Sequence, residues 1–531
     1  MRSLKSNSKL TGRLNISGLG QRFHGTKPTA AALRILVTLP VLCALILVAA
    51  HPAQAQTERA LYNFCSQPNC VDGSIPQSRL TPDGAGNFYG TTWGGGAFGS
   101  GTVFEISPNG SGGWTETVLY SFCPDGGICT DGAAPSYSYV IFDSVGNLYG
   151  TTSGGGTLGY GVVFELSPVG TNWTETVLFS FGAGGSGTDP VNGLIMDAAG
   201  DLFGVTNASG DGTQTVFELS QSGGVWTEQI IYISGGYPDN HAGLTMDSAG
   251  NIFSTTLSTV FELAANGVGG WDPSVIHTFT GYPDDGSAAQ SAPVIGPDGN
   301  LYGTTTTGGK YKYGAVYRLG PGKNGEWTEK IVYSFNDKGK LSGSDPFAGL
   351  IFDGAGNMYG TTLAGQVNNG SVFELTPVGA NTYKEKILSG FEGASLPYGS
   401  LFRDSAGNLY GTAQDGGYGC STCGGFVFEV NTSAAVTTTT LTSSPNPSTE
   451  GEPVTFTAVV TSSAGPPPDG ETVTFKYHTD FFLGTGTLSG GSASITTSEL
   501  PSGSSGIKAV YGGDFYFIGS TSKILKQVVE K

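Results

Sequence analysis

Charge is scarce in this chain. Asp, Glu, Lys and Arg together make only 12% of 531 residues, and His (5), Cys (7), Met (4) and Trp (6) are few. So few histidines and cysteines leave little material for a histidine-based metal centre or a cysteine-rich cluster. No H-E-x-x-H helix motif, G-x-S-x-G elbow or P-loop occurs, which removes the commonest hydrolase and nucleotide signatures. Long apolar runs are also missing, except for "ILVTLPVLCALILVAA" at 35–50, so no second candidate for a membrane-spanning helix is seen.

That one run reads as part of a secretory signal. Arg2, Lys5, Lys9, Arg13, Arg22, Lys27 and Arg34 precede it, and the small-residue site "AQA" ends at Ala55, the order expected of an export signal cleaved there. An uncleaved anchor is the alternative. Cleavage leaves 17 basic against 42 acidic residues, a net charge of −25, which disfavours nucleic acid and attracts cations. Six cysteines then remain as close pairs, Cys65 with Cys70, Cys123 with Cys129 and Cys420 with Cys423. Local disulfides in an oxidising compartment are the expectation, with Cys420–Cys423 as a redox pair or half a zinc site the weaker reading.

What is abundant is glycine (87 residues), without a collagen period and beside many short Val, Ile, Phe, Tyr and Thr runs, which points to an all-β protein. "DSVGNLYGTT" at 143 returns as "DGAGNFYGTT" at 83, "DAAGDLFGVT" at 197 and "DSAGNIFSTT" at 247. It returns again as "GPDGNLYGTT" at 296, "DGAGNMYGTT" at 353 and "DSAGNLYGTA" at 404. Around each copy stand a strand before it (a), the strand it opens (b), a run such as "GVVFELSP" (c) and a run such as "WTETVLYSF" (d). Seven four-strand units of this period predict a seven-bladed β-propeller, with an open β-solenoid as runner-up. The d run is written only six times within the array, and "TERALYNF" at 57–64 copies it. The amino-terminal strand is therefore expected to complete the last blade and close the ring, hiding a sheet edge. "D-x-x-G-N" falls at the a–b hairpin, where Gly and Asn tolerate positive φ and Asp caps the turn; the decapeptide is read as structural.

After Val430 the composition changes. "NTSAAVTTTTLTSSPNPS" leads into alternating strands in which Val454, Phe456 and Ala458, then Val473, Phe475 and Tyr477, then Ile507, Ala509 and Tyr511 share faces, the pattern of an immunoglobulin-like sandwich. The division expected is a signal peptide at 1–55, a propeller at 56–430, a linker at 431–437 and an Ig-like domain at 438–531.

These motifs carry a resemblance. "GNLYGTT", "GVVFELSP" and "WTETVLYSF" resemble the GloVer tandem-repeat family of exported, propeller-like repeats. "TTTLTSSPNPSTEGEPVTFTAVVTSS" and "AVYGGDFYFIGSTS" resemble bacterial Ig-like repeat domains. The resemblance implies export and no particular catalytic activity.

In an antiparallel meander the b–c and d–a loops share one face, opposite the repeated turns, and loops on a rigid ring are where binding concentrates. This variable face should carry Trp93, Tyr160, Tyr311, Tyr313 and Tyr418. It should also carry an acidic residue near the start of most a strands: Asp72, Asp131, Asp189, Asp239, Asp285 and Asp345. Trp93 and these six are the candidate ligand-binding residues; a plain turn-forming role for the Asp residues is the alternative. No catalytic residue, resident metal or cofactor is indicated, although these acidic loops could take calcium. The function expected is a secreted or cell-surface, non-catalytic binding or adhesion protein recognising carbohydrate or another surface protein. The alternatives are a propeller hydrolase, lyase or lactonase, and a purely structural envelope protein. Neither nucleic acid nor, after cleavage, a membrane span is expected.

Overall fold

The computed structural model describes residues 58–110, 112–182, 187–208, 213–234, 241–322, 326–336, 343–364, 370–379, 381–391, 395–416, 424–478 and 481–531. The signal segment, Asp239, Tyr418 and the Cys420–Cys423 pair lie outside them. No described helix is long and apolar enough to cross a membrane.

Seven four-stranded antiparallel sheets form the ring. Blade 1 is Thr81–Pro82, Phe88–Thr92, Thr102–Pro108 and Trp114–Ser121, strands a to d in order. Blades 2 to 6 repeat it. Blade 7 takes strands a to c from Phe402–Arg403, Leu409–Ala413 and Phe426–Val430, and its d strand is Glu58–Asn63, antiparallel to Phe426–Val430 with Ala60 opposite Phe428. The amino-terminal strand closes the propeller as its sequence predicts.

Each residue of the repeated decapeptide has a mechanical task. Asp143 Oδ1 accepts from the backbone N–H of Val145 and Asn147 at 2.9 Å, and Asn147 Nδ2 donates to Asp143 Oδ2 at 2.9 Å. The next aromatic, Tyr149, reaches the same carboxylate at 3.2 Å and packs into the core of the following blade, beside Phe181 and Leu194. Glycine comes next because a ring lies over it. A Cβ on Gly150 would stand 2.6 Å from Phe164 of strand c. The first threonine then latches neighbouring blades. Thr91 Oγ1 donates to Ser138 O, Thr151 to Asn192 O, Thr255 to Ser291 O, Thr304 to Ala348 O and Thr361 to Pro397 O. Thr412 of blade 7 donates to Ser78 O of blade 1 at 2.7 Å, so the latch also crosses the closure. Blade 3 has Val205 at this position and lacks the bond. A second lock is steric: Gly161, before strand c of blade 2, leaves room for Pro190 of blade 3, whose Cδ would stand 2.7 Å from a Cβ there.

The carboxy-terminal sandwich begins at Ala435–Ser444, which overlaps the end of the segment read as linker from sequence. Its core contains Val454, Phe456, Ala458, Val473, Phe475, Ile507, Ala509 and Tyr511, with Tyr477 packed against it. It meets the ring where Asn431 Nδ2 donates to Phe515 O at 3.0 Å.

Candidate functional site

The predicted acidic residues do not form one set. Asp72, Asp131 and Asp285 are equivalent, each directly before a glycine that packs on a b-strand threonine (Gly73 on Thr92, Gly132 on Thr152, Gly286 on Thr305). All three are buried and turned into their own loops. Asp72 Oδ2 accepts from Tyr62 OH (2.9 Å), Ser66 N (2.9 Å) and Ser66 Oγ (2.8 Å). Asp131 Oδ2 accepts from Tyr120 OH (2.8 Å) and Cys123 N (3.0 Å). Asp285 accepts from Thr280 N (2.7 Å) and Gly286 N (2.6 Å) and faces His277 Nε2 at 3.2 Å.

Asp189 and Asp345 sit elsewhere. They occupy a left-handed position (φ 55° and 57°) shared with Ile75, Ala134 and Ala288, and their N–H groups bond Tyr160 O and Tyr313 O in the b–c loop of the preceding blade. Insertions and deletions between the cysteine-bearing and plain loops hide this offset in the sequence. Asp189 is exposed and Asp345 partly so. Trp93 is 45% exposed, and its N–H donates to Ile75 O, which fixes this b–c loop against the d–a loop of the same face. Disulfides Cys65–Cys70 and Cys123–Cys129 are formed in equivalent d–a loops.

A partly buried acidic array escaped the sequence reading. Glu116, Glu175, Glu228, Glu329 and Glu385 lie at one register position of strand d, opposite Ile106, Leu166, Leu219, Leu319 and Leu375, and Glu58 matches them opposite Val430. Glu116, Glu175, Glu329, Glu385 and Glu58 adjoin the outer strand of the preceding blade or the loop that follows it. Glu385 accepts from Tyr333 OH at 2.9 Å and Glu58 from Ser389 Oγ at 2.5 Å. In Glu116, Glu175, Glu228 and Glu329 one carboxylate oxygen, Oε1, is buried without a hydrogen-bond partner. Burial, and then the adjacent charge of Asp72 or Asp131, pushes Glu116 and Glu175 up to about 8. Burial raises Glu228 to about 7, and burial with Asp285 raises Glu329 to about 7. The repeated "W-T-E" was the available signal.

On the ring axis the segments that lead into the a strands line a cavity of about 100 Å³. Tyr137, His241, Phe347 and Tyr398, from blades 2, 4, 6 and 7, meet there: Tyr137 and His241 centroids are 4.2 Å apart, Phe347 and Tyr398 4.9 Å, and Tyr137 and Tyr398 5.6 Å. All four are partly exposed. Below them Arg79 lies over the Tyr139 ring at 3.7 Å and makes no ion pair among the described residues. Gln77 donates to Gln414 Oε1 at 2.8 Å, while its own Oε1 is buried without a partner. No carboxylate lines the cavity among the described residues. These positions differ from blade to blade, so no repeat exposed them in the sequence.

Residues 113–267 and 256–465 match the model of the Gloeobacter/Verrucomicrobia repeat, and residues 441–530 match the bacterial Ig-like domain (group 3). No curated protein matches. Among solved structures, the extracellular domain of a hybrid two-component system from B. thetaiotaomicron is similar at 12% identity and TM-score 0.41, over 90% of this chain and 58% of that one. A protein from Lactobacillus plantarum is similar at 16% identity and TM-score 0.42, over 79% and 99%. A gluconolactonase from Xanthomonas campestris is similar at 14% identity and TM-score 0.33, over 58% and 87%.

Proposed function

The chain belongs to the Gloeobacter/Verrucomicrobia repeat family and ends in a bacterial Ig-like domain; from that premise we propose that it is an exported, non-catalytic binding protein that takes carbohydrate at the axial cavity. The observation that carries this reading is the lining. Partly exposed aromatic rings offer stacking faces, Gln77 offers an unspent acceptor, and Arg79 offers a guanidinium without a counter-charge among the described residues. Aromatic faces with a few fixed polar groups suit sugar rings, and Arg79 favours sugars bearing a carboxylate. A hydrolase or lactonase at this point would draw on carboxylates for acid–base chemistry, and none stands in the described lining. Trp93 and Tyr160 stand exposed in b–c loops of the same face and extend the surface outward.

Export is supported by the basic leader and apolar run of residues 1–55 and by the two disulfides, which persist in oxidising compartments. Amino-terminal sequencing of secreted protein should begin at Gln56, and a start at Met1 would refute cleavage. Screening the mature chain against neutral and acidic glycans should return acidic or uronic-acid-containing ligands. A uniformly blank screen together with turnover of a lactone or ester substrate would favour the enzyme reading instead.

A further inference from the structure

One blade interface departs from its six companions. At the position opposite the valine that precedes the strand-c aromatic, the outer strand carries Tyr62, Tyr120, Phe179, Tyr232, Tyr333 or Ser389, but blade 4 carries His277, opposite Val260. In blades 7 and 1 this phenol serves as a donor that satisfies the loop aspartate. An imidazole adds a nitrogen lone pair, and here it does so beside two carboxylates.

We propose that His277, Asp285 and Glu329 form a binding site for a divalent first-row transition ion, of the zinc, cobalt or manganese kind, between blades 4 and 5. The candidate ligand atoms all lie within 4.8 Å of one another. Around an ion at about 2.1 Å, neighbouring ligand atoms stand roughly 3 to 3.5 Å apart, so small side-chain movements bring them to bonding distance. Three elements supply them: the outer strand of blade 4, the loop after it, and the outer strand of blade 5. Asp285 is held in place by Thr280 N and Gly286 N, which orient its carboxylate toward His277. Glu329 Oε1 is buried without a partner, as are its counterparts in Glu116, Glu175 and Glu228, but only here does an imidazole stand beside it, and a cation would satisfy the orphaned oxygen. His277 is 17% exposed at its side chain, so the site is not sealed from solvent. Imidazole together with carboxylates selects zinc, manganese or cobalt over calcium, which prefers oxygen alone. The corresponding Asp72 with Glu116 and Asp131 with Glu175 lack the nitrogen.

The test uses the full mature chain, stripped with chelator and titrated with Zn²⁺ by calorimetry and with Co²⁺ by visible absorption. Wild type should bind one equivalent at this site and show a d–d spectrum. His277→Tyr restores the residue that blades 1 and 5 already accommodate, so it should fold with an unchanged melting temperature without metal, yet bind at least roughly a hundredfold more weakly. Glu329→Gln should weaken binding while leaving the apo protein folded. Metal should raise the melting temperature of wild type and not of His277→Tyr. No saturable binding by wild type, or equal binding by folded His277→Tyr, would overturn the proposal.

Discussion

Arg59 Nη2 lies 2.7 Å from Glu429 Oε2, joining the first described strand of the chain to the last strand of the propeller across 370 residues. Glu429 is nearly inaccessible and also accepts from Tyr410 OH at 3.0 Å, while the Arg59 guanidinium stands over Phe515 of the Ig-like domain at 4.5 Å. One side chain therefore pins the closing strand, neutralises a buried carboxylate and touches the second domain. Arg59→Ala should cost about 2 kcal/mol, because it leaves a buried charge uncompensated. Arg59→Ala with Glu429→Gln should recover part of that loss. Thermal melts of the three proteins check this, and a double variant no more stable than the single one would count against the electrostatic account.

Stability should fall as pH rises from about 4.5 toward 8. Glu116, Glu175, Glu228 and Glu329 titrate near 4.5 when unfolded but at about 7 to 8 when folded. The folded state holds more protons across that window, so the stability these groups contribute is complete below it and lost as they ionise. The turn aspartates set the acid limit. Burial works to raise Asp83, Asp143 and Asp353, but their backbone and asparagine donors outweigh it and keep them below the usual carboxylate range, so their contribution is lost in stronger acid. After discounting for solvent, each interblade glutamate accounts for about 1 kcal/mol. Glu116→Gln and Glu175→Gln should raise the melting temperature at pH 8.5 and change it little at pH 5. Equal shifts at both values would exclude linkage through these groups.

The repeated turns should govern stability and nothing else. Asp143→Ala strands the N–H groups of Val145 and Asn147, and Thr412→Ala removes the latch onto Ser78 O. Each should cost about 1 to 2 kcal/mol. Neither residue borders the axial cavity, so ligand affinity measured well below the melting temperature should be unchanged. A turn variant that lost ligand while keeping its melting temperature would move function to the opposite face.

The ring, its copy number and its closure were legible because repetition writes the same physical demands seven times and "TERALYNF" supplies the one missing strand. Tyr149, Gly150 and Thr151 are repeated because blade packing needs a spacer, a ring seat and a latch at fixed register. The site was legible only as a face. Tyr137, His241, Phe347 and Tyr398 occupy one structural position with three residue types among them, and only closure of the ring brings them together. The acidic loop residues looked like one family in sequence, but Asp72 and Asp189 stand three positions apart once the glycine after Asp72 is aligned with Gly187. That displacement separates a loop staple from a left-handed turn residue.

The axial cavity yields the sharpest functional expectation. Arg79 lies over the Tyr139 ring in a lining that contributes amides, hydroxyls and rings but no described carboxylate. On a mature chain with a net charge of −25 inferred from its sequence, long-range attraction does not favour anions, so recognition of an acidic sugar must come from this local guanidinium. Arg79→Ala should therefore weaken an acidic glycan at least tenfold while leaving a neutral analogue nearly unaffected, and Arg79→Lys should restore only part of the loss because the bidentate fork is gone. Tyr137→Ala should weaken both ligands alike, since stacking does not depend on the sugar's charge. Calorimetric titration of the four proteins with a uronic acid oligosaccharide and its neutral counterpart separates the terms. Equal loss of both ligands in Arg79→Ala would show that Arg79 supports Tyr139 rather than reading a carboxylate. No loss in Tyr137→Ala would place the ligand away from the axis, toward Trp93 and the outer loops.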